Sequence, residues 1–146
     1  LSVLENLKFY AGIYGLQGLR KKEKISNMLE IFDLEKFKNT QAKDLPLGYK
    51  QRLSLACAIM HDPAVLFLDE PTSGLDWNNM YAVANAVNFL RKSGKVVFII
   101  THDLEFISLT ASRTLLLKEG IIKDDLQMTG KSTFKIVKDF MMKGGE

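Results

Sequence analysis

The stretch VLFLDEPTSGLD, Val65 to Asp76, decides the fold. Five apolar residues in a row, Ala64 to Leu68, do not alternate with polar ones. A short run of this kind reads as a strand buried on both faces of a parallel sheet. It delivers Asp69 and Glu70 to the strand's carboxyl end, where open α/β sheets bind ligands. Two adjacent carboxylates there repel unless a cation or a proton separates their roles. A division of labour meets that need: one holds Mg²⁺, directly or through water, and the other polarises a water for attack on a phosphoryl group. A bare Asp-Glu pair also serves simply to cap a turn; the Pro-Thr-Ser-Gly-Leu-Asp tail tells against that simpler role.

Val96 to Ile100 is a second apolar run, ending in Thr101-His102-Asp103. Between the runs, Met80, Val83, Val87 and Leu90 recur at helical spacing and predict a crossover helix stopping near Gly94. Thr114–Lys118 and Ile121–Lys123 flank Glu119-Gly120 and predict a hairpin. A last helix is expected over Ser132–Met142, with Phe134, Val137, Phe140 and Met141 as its apolar positions. Ahead of the strands, Ser2-Val3-Leu4-Glu5 has capping-box spacing. Leu4, Leu7, Ala11 and Tyr14 follow as one helix face, broken by Gly15 and Gly18. Ile25, Met28, Leu29 and Phe32 mark a second amphipathic helix. The expectation is α/β architecture with a helical region in front: residues 1–44 helical, 45–128 the α/β core, and 129–146 a C-terminal helix.

The chain has 146 residues, 47% hydrophobic and 25% charged, enough for one core. A net charge of +3 is too small to argue for nucleic acid or an anionic membrane surface. The single cysteine, Cys57, excludes an internal disulfide and suits a reducing compartment. It falls on the apolar side of a helix and reads as core, and His61 reads as an ordinary loop residue.

Together these motifs resemble the ATPase subunit of an ATP-binding-cassette (ABC) transporter. Phe67-Leu68-Asp69-Glu70 is similar to the family's Walker B motif, Ser73-Gly74-Leu75-Asp76 to its D-loop, and Ile100-Thr101-His102-Asp103 to its switch-histidine loop. Leu45-Pro46-Leu47-Gly48-Tyr49, running into Lys50-Gln51-Arg52, takes the place of its LSGGQ signature. The fold implied is part of a P-loop NTPase domain. The resemblance implies ATP and Mg²⁺ as cofactors, Asp69 organising the metal, Glu70 as general base, and His102 as a switch on the γ-phosphate. It implies that Leu45 to Gln51 meet an ATP held mainly by a second ATPase subunit, with Ser73 to Asp76 at the dimer interface. The implied partners are that second subunit and a transmembrane permease, with no nucleic acid, and the implied location is cytoplasmic, peripheral on the inner face of the cell membrane.

Several features depart from the family pattern. Pro46 replaces the signature serine and Leu47 its first glycine, so contact is expected from the Gly48–Lys50 backbone amides and the helix dipole. Trp77 stands where proline is common. No Walker A motif precedes Ser2, and Thr129-Gly130-Lys131-Ser132 is a poor substitute: Asp124 and Asp125 lie where a phosphate cradle needs glycine. The chain therefore reads as the second half of the domain, alone an inactive and weak binder of ATP, with an apolar sheet face and edge left open. Residues 1–76 look most like drug and ABC-2 exporters, and those from Trp77 onward like energy-coupling importers. Two other classes stay open: a non-catalytic regulatory module derived from such an ATPase, and a soluble ABC ATPase of DNA repair or translation. Intact Asp69, Glu70 and His102 tell against the first, and the compact front helices against the second.

Overall fold

The computed structural model describes residues 1–128 and 134–143. They form two compact units, Leu1–Ile100 and Thr101–Glu146. The first contains helices α1 (Val3–Ile13), α2 (Gly18–Ile31), α3 (Leu47–Ala58) and α4 (Trp77–Lys92), with strands β1 (Val65–Asp69) and β2 (Val96–Ile100). Two 3-10 turns, Glu35–Phe37 and Ala42–Asp44, link α2 to α3. The second contains α5 (Leu104–Thr110), β3 (Arg113–Lys118), β4 (Ile121–Gln127) and α6 (Phe134–Lys143).

The first helix starts as its sequence requires. Ser2 Oγ accepts from the Glu5 amide at 3.2 Å, and Glu5 accepts from the Ser2 amide at 2.7 Å, a complete capping box. The Val3 and Leu4 amides donate to the carbonyls of Thr40 and Lys38, so donors that a helix start leaves orphaned are all used locally. Val3, Leu7 and Ala11 are fully buried; α2 packs against α1 and buries Ile25, Met28 and Leu29, with Phe32 buried at its C-cap. Tyr14, expected on the buried face, instead ends the helix and lies 4.3 Å from the ring of His61.

β1 and β2 pair in parallel, Val65 with Val96 through Asp69 with Ile100. α4 is the crossover between them; Met80, Val83, Val87 and Leu90 are all buried, and Gly94 ends the turn at positive φ. One expectation needs correction: the strands are not buried on both faces. Leu66 and Leu68 are buried, whereas Phe67 is 71% exposed, Phe98 51% and Ile100 63%. The pattern reports what these strands are built to bury, and in the described residues only one of the two faces is covered. The open apolar face foreseen for a half-domain is therefore present.

In the second unit, Glu119 and Gly120 both take positive φ, the tight turn that suits a right-twisted hairpin. β4 runs to Gln127, longer than its apolar start suggested. α5 has no counterpart in the expected elements. Asp103 caps it, accepting from the Glu105 and Phe106 amides at 3.1 Å each. Val137 and Phe140 are the buried residues of α6, and α5 packs against it. The Thr129–Ser132 stretch lies outside the described residues.

Cys57 is buried on α3, and burial pushes its thiol up to about 11, about two units above its ordinary value. At pH 8 that leaves about a hundredfold less thiolate than an unperturbed thiol carries. Iodoacetamide labelling of the folded chain should be slower by about that factor than after denaturation in guanidinium. Equal rates would place Cys57 at the surface.

Candidate functional site

The strand end and the turn after it form the acidic part of the site. Asp69 closes β1 and is exposed, while Glu70 is half-buried. Glu70 takes a left-handed φ of 44°, unusual for a residue with a Cβ and directly ahead of Pro71. Its amide donates to the Ile100 carbonyl at 2.9 Å, which ties it to the end of β2. Amides of Ser73 and Leu75 donate back to Glu70 and Thr72, folding residues 70–75 into consecutive turns. Ser73, Gly74 and Asp76 are left exposed. Strain of order 1–3 kcal/mol at one residue persists only where surroundings over-determine it, and such residues cluster at functional sites.

α3 carries the signature-like turn. Pro46 is its N-cap and offers no side-chain cap. The Tyr49 and Lys50 amides both donate to the Pro46 carbonyl at 3.0 Å, so of the Gly48–Lys50 amides only that of Gly48 belongs to the helix's open end. Gly48 is itself buried; Pro46, Leu47 and Lys50 make the exposed surface of the turn, and Gln51 is half-buried behind them. Leu45 is core. The Tyr49 ring turns inward, 4.4 Å from Phe37, with the Arg52 guanidinium 4.4 Å from its centroid.

The fold brings this turn against the D-loop-like segment of the same chain. A Cβ on Gly74 would sit 3.4 Å from a methyl of Leu47. Asp76 caps α4, and the Asn79 backbone and side chain hold its carboxyl below the usual carboxylate range. Glu70 lies in the first unit and exposed His102 in the second.

The donor set can be tested against the implied metal. Among the described residues no three or more His, Cys, Asp or Glu are grouped to hold one. Mg²⁺ keeps several waters and takes one or two carboxylates plus substrate phosphates rather than a protein cage. Asp69 fits as such a carboxylate. For the nucleotide the fit is partial, because the sequence lacks a G-x-x-x-x-G-K-[ST] cradle. A cavity of about 370 Å³ between α1 and α3, lined by Asn6, Tyr10, Lys50 and Cys57 among others, includes none of the site's carboxylates.

A parallel strand pair with its crossover helix, acidic at the strand's end and joined to a signature-like helix, defines part of a P-loop NTPase of the ATP-binding-cassette class. The ABC transporter family profile matches residues 1–73, and the chain belongs to that family. It is 45% identical over 105 residues to an Escherichia coli K12 protein named "Probable multidrug ABC transporter ATP-binding protein YbhF", covering 72% of this chain and 18% of the relative. Among solved structures it is similar to cbiO1 of Clostridium perfringens, part of the ABC transporter complex cbiONQ, with a TM-score of 0.74 and 27% identity. That match covers 85% of this chain and 50% of the other. A dimeric post-hydrolysis structure of the ATP-binding cassette MJ0796, bound to ADP and Pi, matches at TM-score 0.74 and 26% identity over 89% of this chain and 58% of that one. The chain thus spans 50% and 58% of these two solved cassettes and 18% of the Escherichia coli relative. No helix among the described residues is long and apolar enough to cross a membrane.

Proposed function

We propose that this chain is the catalytic-carboxylate and signature part of an ABC transporter ATPase subunit, which hydrolyses ATP to drive transport through a permease partner. The observation that carries the reading is Glu70, strained, half-buried and fixed by its amide to the end of β2 immediately after a metal-type aspartate. Mg²⁺, when bound, would neutralise developing charge on the transferred phosphoryl group. Asp69 would hold it through one carboxylate oxygen or a water. Glu70 would accept the proton of the attacking water, and His102 would hydrogen-bond the γ-phosphate, donating from one ring nitrogen. Leu47 and Gly48 amides and the Lys50 ammonium would meet the γ-phosphate of a nucleotide held by the second subunit, with Ser73 to Asp76 beside it. The subunit would work at the cytoplasmic face of the membrane.

The division of parts predicts weak binding by this chain alone, since its groups address metal, water and the end of a triphosphate. Calorimetric titration of the 146-residue chain with Mg-ATP should give a Kd weaker than about 1 mM, about −4 kcal/mol of binding free energy. Micromolar affinity would sink this division and return attention to Thr129–Ser132.

A further inference from the structure

Asn79 stands where three sets of contacts meet. Its side-chain amide donates to Asp76 Oδ2 at 2.8 Å, beside the capping bond from its own backbone N–H to Asp76 Oδ1 at 2.9 Å. Its Oδ1 accepts from Arg52 Nη2 at 3.1 Å, and Arg52 Nη1 donates onward to Asp33 at 3.3 Å. The orientation of the amide is forced, because a guanidinium only donates and a carboxylate only accepts. A Cβ on Gly48 would lie 2.2 Å from Asn79 Cγ and Oδ1 and 2.7 Å from its Cβ. Only glycine lets α3 begin against this side chain. The Arg52 side chain is buried, so losing a partner there leaves a desolvated charge.

We propose that Asn79 is a positioning residue that clasps the start of α3 to the Ser73–Asp76 turn, so that the signature turn and the D-loop move as one body. Pro46 supplies no hydroxyl cap to α3; the neighbouring helix supplies the anchor instead. The consequence for catalysis rests on the function proposed above: with the clasp intact, a shift of the D-loop at a dimer interface carries the signature turn toward or away from the partner's nucleotide. Asn79 touches no substrate; it acts through Gly48 and Asp76.

Amide exchange on the full chain tests the clasp without any nucleotide. Asn79→Ala removes both side-chain links, and exchange at the Tyr49, Lys50 and Leu75 amides should accelerate by about tenfold while α1 and α2 stay unchanged. Asn79→Asp keeps an acceptor for Arg52 but sets a second carboxylate beside Asp76, so acceleration should be confined to Ser73–Asp76. Unchanged exchange at Tyr49 and Lys50 in Asn79→Ala, or acceleration spread evenly over the unit, overturns the proposal. In a complete, ATP-hydrolysing subunit, Asn79→Ala should lower kcat about tenfold with KM for Mg-ATP within about twofold. A change in KM alone, or in neither constant, also overturns it. If Glu70→Gln hydrolyses normally in that subunit, the ATPase reading fails, and the exchange result still decides the clasp.

Discussion

With Glu70 as the general base proposed above, Glu70→Gln should lower steady-state hydrolysis by the complete subunit by about 10²–10⁴-fold, the range that one positioned general base supplies. The substitution is close to isosteric and leaves the backbone amide bonded to the Ile100 carbonyl. The left-handed φ at position 70 is equally unfavourable for both side chains, about 1–2 kcal/mol in either, so thermal stability should be nearly unchanged. On the mechanism proposed above, what disappears is an acceptor for the water proton, while nucleotide binding and subunit association should not need one. The variant should therefore accumulate as an ATP-bound dimer, read by gel filtration with Mg-ATP against Mg-ADP. Single-turnover hydrolysis at the wild-type rate would remove Glu70 from the role of base. A Glu70→Gly control separates strain from chemistry: it relieves the left-handed backbone but loses the base equally, so its activity should fall as far as that of Glu70→Gln.

The residues that sequence made legible are those whose role is local or periodic. Ser2 and Glu5 form their capping box because the partners lie three residues apart in the chain. The buried faces of α2 and α4 follow 3.6-residue spacing, and Glu119-Gly120 announces its turn by chemistry. What stayed hidden depends on residues distant in sequence. Asn79 meets Arg52 across 27 positions, and no periodic pattern marks such a pair. The inward turn of Tyr49 is set by Phe37 and Arg52, not by its neighbours in the motif. The Tyr49 and Lys50 amides are a local exception, bonded to Pro46 only three and four residues back. Helix starts advertise free donors, but bonds to the N-cap carbonyl consume those beyond the first turn's opening. The seven residues of α5 carry too little periodicity to predict a helix, although Asp103 ahead of Leu104-Glu105-Phe106 is a readable cap.

Replacing the stacked pair on the open sheet face, Phe67→Lys with Phe98→Glu, should abolish assembly of this chain with a polypeptide carrying the phosphate-loop half of the cassette. The two rings are register partners, 5.0 Å apart and nearly parallel, on a face that the described residues leave open. The chain itself should tolerate the change. It loses an aromatic contact of about 0.5–1.5 kcal/mol and gains a cross-strand ion pair of about 0.2–1 kcal/mol. Assembly is another matter, because each Phe buried by a covering layer contributes about 1.5–3 kcal/mol. Losing two costs about 3–6 kcal/mol, or about 10²–10⁴-fold in affinity, before the added cost of burying charge. Calorimetry between the two polypeptides reads that loss, and restored Mg-ATP binding in the wild-type pair gives a second readout. An unchanged affinity would mean that the halves join through some other surface. Sedimentation of the chain alone separates the remaining alternative: if the face pairs with a second copy, the wild type sediments as a dimer and the double variant as a monomer. A parallel strand pair rarely keeps one apolar face in water, so whatever covers Phe67 and Phe98 also fixes the strand end that presents Asp69 and Glu70. On the function proposed above, closing this face and completing the active site should then be one event, and a substitution far from any phosphate should cost as much activity as removing the base.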